Sequence, residues 1–545
     1  MYKHFLSALQ NTIRTNWNLN ALSDYNGLSY TYGELAEKIV KYHIYFKEIG
    51  IKKGDKIAIC SRNCADWAVV FLAITSYEAV VVPLLYDFLP ENIQDLVEHS
   101  ESKILFTEDQ TWNKLDHTKF SHLQYVISIS KHLPIYSKGN QLSLEIVNKK
   151  SEELYPDGIK AKDITFPIKN FDDLAVINYT SGTTSAPKGV MITYGNISSN
   201  IQFAIDHIPN SPGETILSML PQAHMYGMVF EFIYPVCYGV NVVFLGKIPS
   251  PQTLFKAFSD VKPYILITVP LVLEKIFTKK IIPILETPKM KFLLHTPLKR
   301  VIYKKINKQI MDTFGGNIRH IVAGGAAFNQ VVENLMRKMK LPYTVGYGMT
   351  ECAPLLAYAD HSEFAQGSCG KTIERMEMRV DSSDPENIAG ELQVRGANVM
   401  LGYYKNEQAT NDSFTEDGWL KTGDLGIIDK NHNVFIRGRS KNMILSSNGQ
   451  NIYPEELEDK LINYPYIMET LVVSREGKLI ALIVPDFERI ATEKIEDSQI
   501  RKILDENLKE VNKKLPNYCK ISSYELRNKE FEKTPKQSIR RFLYK

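Results

Sequence analysis

An α/β fold is what this sequence predicts, on three observations. Short β-branched runs alternate with helical periodicity through the first four hundred residues, which means parallel and mixed sheets with crossover helices. From about Gly390 the pattern shifts to shorter strands and turns. The 545 residues are 44% apolar and 23% charged, a composition that fills large cores and excludes wholesale disorder.

Taken in chain order, the opening segment is interrupted by Gln10, Asn11, Arg14 and Asn16, so no secretory leader is expected. Strands are expected at 56–60, 80–85, 103–106, 174–178, 241–245, 264–269 and 318–322. The most apolar stretch, 68–86, contains Thr75, Ser76, Glu78 and Pro83 and reads as buried core; no transmembrane helix is expected. Strands at 390–394, 426–429 and 434–438 follow, then a helix whose first turn carries Pro454, Glu455 and Glu456. A boundary near Arg439 divides the chain into a large unit, 1–439, and a small one, 440–545. The small unit reads as α+β: strands at 471–474 and 479–484 across a turn at Glu476 and Gly477, a long polar helix, and a last strand near Tyr524.

Charge sets further bounds. With 65 basic and 62 acidic side chains the net charge is +3, which excludes nucleic-acid binding over the whole surface. The six cysteines form no CxxC pair, as expected of a reducing, cytoplasmic compartment. One segment departs from this balance: between 275 and 308, nine lysines and Arg300 face a single acid, Glu286, so it carries +9 and the rest of the chain −6. Interleaved apolar residues make it amphipathic, suited to an anionic membrane face, to acidic ligand groups, or to a solvated surface helix pair.

The chemistry concentrates after the strand at 174–178. Tyr179-Thr-Ser-Gly-Thr-Thr-Ser-Ala-Pro-Lys-Gly189 packs hydroxyls, glycines and a lysine into one loop, which is what a polyphosphate needs. It is not a Walker A loop, because no Gly-Lys-Ser/Thr follows and the chain continues as a strand. This loop resembles the phosphate loop of the adenylate-forming enzymes, the group that contains acyl-CoA synthetases. Tyr347-Gly-Met-Thr-Glu351, Lys421-Thr-Gly-Asp424, Arg437-Gly-Arg-Ser-Lys441 and Tyr453-Pro-Glu-Glu-Leu-Glu458 resemble the family's later signatures in order. Thr31-Tyr-Gly-Glu-Leu35, Gly54-Asp55 and Asn63 match as well, so the resemblance covers essentially the whole chain.

The resemblance implies a large domain of sheets plus a small distorted barrel, a mobile C-terminal lid, and use of ATP, Mg²⁺ and coenzyme A. It implies a nucleotide site built from Thr180, Ser181, Gly182, Thr183, Thr184 and Lys188 around the phosphates. Gly324, Gly325 and Ala326, which follow the strand expected to end at Val322, would lie against adenine. Tyr347 would stack on it, beside Gly348 and Met349; Thr350 would bond the α-phosphate, and Glu351 with Thr180 would hold Mg²⁺. Asp424, expected in a Gly-Asp turn, would accept from the ribose hydroxyls, with Arg439 beside it and Lys441 at the hinge. His224 would border the acyl carbonyl, with the acyl tail running past Tyr226, Gly227, Met228 and 265–269. Residues 446–451 would shape the thiol entrance after the lid turns.

The resemblance breaks near the end. Aligning Thr534, Pro535, Ile539 and Arg541 places Ser538 where the family carries a catalytic lysine, a loss that would cost ~10²-fold to 10³-fold in adenylation. Lys536 stands two residues earlier, on the same side of an extended strand but roughly 6–7 Å away. Lys536 then takes the role by a loop shift or bulge, or Lys533 does, or no lysine does. The long basic insert resembles long-chain fatty acid ligases. Three readings follow: a fatty acid–CoA ligase, cytoplasmic or peripheral on the inner face of a membrane; an adenylate former serving an acyl carrier protein; or an ATP- and lipid-binding protein with weakened chemistry.

Overall fold

The computed structural model describes residues 3–139, 144–167, 170–180, 187–246, 251–325, 328–445, 451–475, 477–533 and 539–544. An eight-stranded sheet has a parallel centre and antiparallel edges. Its spatial order runs Gly402–Tyr403, Lys188–Thr193, Leu174–Thr180, Val80–Leu84, Lys56–Cys60, Ile104–Thr107, Tyr125–Ser128 and Pro134–Ser137. The helix Ala65–Ser76 connects two of the parallel strands and is buried on every face, as is the strand Val80–Leu84 that follows. The apolar stretch is therefore core, because a crossover helix packed on all sides has no polar stripe.

A second sheet of five strands is ordered Ile265–Thr268, His320–Gly324, Tyr343–Gly348, Leu355–Tyr358 and Lys371–Thr372, with its first three strands parallel. Here the structure corrects the expectation. The strand thought to end at Val322 runs on to Gly324, because Ala323 and Gly324 continue the ladder with Val345 and Gly346. Two four-stranded sheets complete this part: Thr215–Ser218, Asn241–Phe244, Asn20–Asp24 and Ser29–Thr31, and antiparallel Met376–Asp381, Gly390–Gly396, Leu420–Ile428 and Val434–Arg439. The helix Tyr32–Glu48 starts at a reciprocal cap between Thr31 and Glu34, which explains the first matched segment.

Beyond residue 444, the hairpin Ile467–Arg475 and Lys478–Pro485 pairs in parallel with Ser523–Leu526, and the polar helix Asp497–Lys513 packs beside it. Its two apolar clusters are made wholly of residues from Ile444 onward, while the three large clusters lie before it.

The basic segment folds into short helical pieces ending in Lys299–Thr313. Phe277, Leu285 and Ile310 are buried against the second large cluster. Phe292 is 72% exposed, and Ile284, Leu298 and Val301 are more than half exposed. No helix of the described residues is long and apolar enough to cross a membrane.

Candidate active site

The carboxyl ends of the two larger sheets carry the site. Leu174–Thr180 ends at the predicted phosphate loop, and Tyr343–Gly348 ends at a turn that places Thr350 and Glu351. Gly348 is required there, since a Cβ would lie 2.2 Å from the carbonyl oxygen of Pro354. Tyr347 Oη donates to Asp424 Oδ2 at 2.7 Å, and Arg439 Nε pairs with Asp424 Oδ1 at 2.7 Å. Asp424 and Arg439 are cross-strand partners, which is why a short aspartate meets a long arginine in register.

Asp424 is not in a turn, as the Gly-Asp pair suggested, but in the strand Leu420–Ile428. An irregularity of pairing and Gly423 at φ +71° re-aim the chain within that strand. The Asp424 side chain is 6% exposed and that of Arg439 59%. Burial pushes the Asp424 carboxyl up from its ordinary range, Arg439 opposes that, and the neighbouring Glu351 charge reinforces it.

A second chain of contacts reaches the same place. Lys188 opens the strand Lys188–Thr193 opposite Thr180, and its Nζ lies 4.7 Å from the ring centroid of Tyr403. Tyr403 Oη donates to Glu351 Oε1 at 2.9 Å. The edge strand Gly402–Tyr403, paired with Val190 and Met191, thus ties the lysine to the carboxylate. Thr350 is buried beside it.

The loop carrying His224 is held by neutral groups. Asn63 Nδ2 donates to the Leu220 carbonyl at 2.6 Å and its Oδ1 accepts from Gln222 N at 2.9 Å. Asn178 Nδ2 donates to the Ala223 carbonyl at 2.9 Å, and His224 Nδ1 accepts from Tyr226 N at 3.3 Å. Tyr226 Oη donates to the Val322 carbonyl at 3.1 Å, next to Gly324, where a Cβ would touch the Tyr226 ring at 3.2 Å. The His224 loop and the glycine end of the strand His320–Gly324 therefore share one wall. Gly227, Met228 and Ile265–Thr268 are buried behind it.

The structure brings Thr180, Lys188, Tyr347, Gly348, Met349, Thr350, Glu351, Asp424 and Arg439 to one region. Lys441 lies exposed in the turn Ser440–Asn442 just beyond Arg439. Ser181, Gly182, Thr183, Thr184, Ala326, residues 446–450, Lys536 and Ser538 lie outside the described residues. Lys533 is engaged elsewhere, with Glu469 and, at 3.2 Å, Glu530. Sequence reasoning missed Tyr403, Asn178 and Glu231. Glu231 had a signal, as the one charged residue between Met225 and Leu245; Tyr403 had only Gly402 before it, on a two-residue strand too short for any periodicity.

The donor set suits a magnesium–nucleotide ligand. Glu351 and Thr180 offer carboxylate and hydroxyl oxygens, the hard donors that Mg²⁺ prefers. Gly325, at φ +88° with open space where a Cβ would stand, leaves backbone bare for a flat base. Asp424 presents two oxygens on one buried side chain, as a ribose diol requires.

The family described as AMP-binding enzyme matches residues 9–404, and its C-terminal domain matches residues 441–544. The long-chain-fatty-acid–CoA ligase FadD15 of Mycobacterium bovis is 29% identical over 487 residues, covering 83% of this chain and 76% of that protein. The chloroplastic long-chain-fatty-acid–[acyl-carrier-protein] ligase AEE15 of Arabidopsis thaliana is 26% identical over 541 residues, covering 85% and 73%. The O-succinylbenzoate coenzyme A synthetase of Bacillus subtilis, solved with ATP and magnesium ion, superposes with a TM-score of 0.75 at 22% identity, covering 98% of each chain.

Proposed function

This chain belongs to the AMP-binding enzyme family, and from that premise we propose that it is an ATP- and Mg²⁺-dependent acid–thiol ligase that takes coenzyme A and whose acid is a long-chain fatty acid. The observation that carries the reading is the convergence of sequence-distant motifs on two neighbouring sets of polar contacts, Lys188–Tyr403–Glu351 and Tyr347–Asp424–Arg439, with the Glu351 charge acting on Asp424. The acyl class is supported by the fatty-acid relatives and by the long basic, apolar insert.

In this reading Gly324, Gly325, Ala326 and Tyr347 bind adenine, while Asp424 with Arg439 accepts and orients the ribose. The loop from Thr180 to Thr184 and Lys188 hold the phosphates. Glu351 and Thr180 hold Mg²⁺, which when bound screens the triphosphate charge. A carboxylate oxygen attacks the α-phosphorus in line, the bond to the β-phosphate oxygen breaks, and pyrophosphate leaves with the electron pair. Thr350 and Lys536 steady the α-phosphate oxygens, and His224 borders the acyl carbonyl. The sulfur of coenzyme A then attacks that carbonyl carbon, and AMP departs with the electrons of the carbon–oxygen bond. Between the two steps residues 440–545 turn on 1–439 about Lys441.

The exposed Ile284, Phe292, Leu298 and Val301 among lysines support a cytoplasmic enzyme seated peripherally on an anionic inner membrane face through 275–308. The same basic face favours a second reading, an acidic acyl carrier protein as acceptor, in line with the AEE15 relative.

Product analysis after mixing the protein with ATP, Mg²⁺, coenzyme A and acids from acetate to oleate tests this. Acyl-CoA from the longer acids is expected. Adenylate without thioester would move the acceptor to a carrier protein, and no product with any acid would overturn the reading. Flotation on anionic and neutral vesicles tests the membrane face, with binding to anionic vesicles alone expected.

A further inference from the structure

Glu231 has no part in the chemistry above, yet it is wholly buried seven residues after His224, in the helical stretch Gly227–Ile233. Its Oε2 accepts three hydrogen bonds: from Ser218 Oγ at 3.0 Å, Met219 N at 3.0 Å and Leu220 N at 2.9 Å. These donors are the last residue of the strand Thr215–Ser218 and the next two, which lead into Pro221 and His224. Its Oε1 is buried and has no hydrogen-bond partner among the described residues. The same helix presses on the loop directly, since a Cβ on Gly227 would lie 2.8 Å from the Pro221 carbonyl oxygen. Glu231 thus grips the entry of the loop, which Asn63 holds at Leu220 and Gln222 and Asn178 holds at Ala223, next to His224.

We propose that Glu231 is a positioning residue for acyl activation, a hydrogen-bond acceptor that fixes residues 218–220 and through them the place of His224. The inference rests on the acid-activating reading of the site. What the loop needs from Glu231 is an acceptor rather than a charge. With three donors on Oε2, the proton belongs on Oε1, and burial pushes this carboxyl up to about 8. The groups acting on it are the Ser218 hydroxyl and the two amides from the strand end, with Tyr226 facing it from its own helical segment; no cation offsets it among the described residues.

The sign of the pH effect follows by linkage. The loop held by Glu231 keeps a proton that a solvated glutamate releases above its ordinary range, so the hold weakens as pH rises toward 8 and levels off beyond it.

The test uses the full chain and pyrophosphate exchange with ATP and a long-chain acid. Glu231→Gln keeps the shape and the carbonyl acceptor, and is expected to stay within about threefold of wild type in kcat. Glu231→Ala leaves two half-buried amides and a buried hydroxyl without this acceptor and is expected to lose ~10-fold or more in kcat while the KM for ATP moves less than about twofold. Hydrogen exchange of the Met219 and Leu220 amides, corrected for intrinsic rate, is expected to lose protection between pH 6 and 8 in wild type and not in Glu231→Gln. Glu231→Gln falling as far as Glu231→Ala, Glu231→Ala matching wild type, or the same loss of protection with pH in Glu231→Gln would each overturn the proposal. Exchange activity absent from the wild type as well would sink the acid-activating reading instead, and the amide protection would still decide the grip of Glu231. A Glu231→Ala chain that does not fold leaves the decision to Glu231→Gln.

Discussion

At the nucleotide end, Tyr347, Asp424, Arg439, Lys188 and Glu351 are tied by contacts that each include a charged group. At the end assigned to the acyl group, Asn63, Asn178 and Glu231 hold the His224 loop through its backbone amides and carbonyls. The difference follows the ligands. A triphosphate brings charge that charged groups must meet, and Arg439, 59% exposed, reaches from the buried Asp424 toward solvent. On the proposed reading the tail of the acid and the thioester bring little charge, so burial behind the reacting carboxylate can be complete and an ionised protein group there would only cost stability. The nucleotide end should therefore respond to charge deletions, the acyl end to lost acceptors.

The largest effect is expected at Asp424. Its replacement by Ala removes both carboxylate oxygens, which the proposed reading gives to the ribose, and leaves Arg439 and the Tyr347 hydroxyl without this partner. The kcat/KM for ATP should fall ~10²-fold to 10³-fold, carried in large part by KM. Next comes Lys536→Ala, expected to cost about 10²-fold in pyrophosphate exchange, with thioester formation from supplied acyl adenylate nearly unchanged. The competing Lys533 is engaged by Glu469 and Glu530, so Lys533→Ala should leave exchange within about threefold. An unchanged rate in Lys536→Ala would leave the family's lysine without a substitute. Tyr403→Phe should be milder. It keeps the ring under Lys188 and deletes only the bond to Glu351, worth about tenfold, read as a raised Mg²⁺ requirement in steady-state kinetics.

What was legible in the sequence divides along the same line. The charged and glycine-rich positions assigned to the nucleotide stand in short ordered motifs, and the structure brings Tyr347, Glu351, Asp424 and Arg439 to one region. Boundaries were less legible, because a glycine reads as a turn when propensity alone is weighed. Gly324 extends a strand through its ladder with Gly346, and Gly423 sits in an irregular strand rather than ending one. Tyr403 and Asn178 were invisible for another reason. Their roles arise from register across a sheet and from packing between residues far apart in sequence, which no local pattern encodes.

The smallest expected effect tests the acyl end by stability alone. Glu231 is pushed up to about 8 in the folded chain, whereas a glutamate in an unfolded chain titrates at about 4.3. Between those values the folded state keeps a proton that the unfolded state has lost, so its contribution is fully present at acid pH and is lost as pH rises through that window. Glu458 and Asp459, each raised to about 7 by burial, slope the wild-type profile in the same direction. The useful quantity is therefore the difference between wild type and Glu231→Gln. The glutamine cannot ionise, so its melting temperature relative to wild type should climb by a few degrees from pH 6 to pH 8 and stay level from pH 8 to pH 9. A difference that does not change with pH would mean that the folded carboxyl is already ionised at pH 6, and that the acyl end, like the nucleotide end, is held by charge.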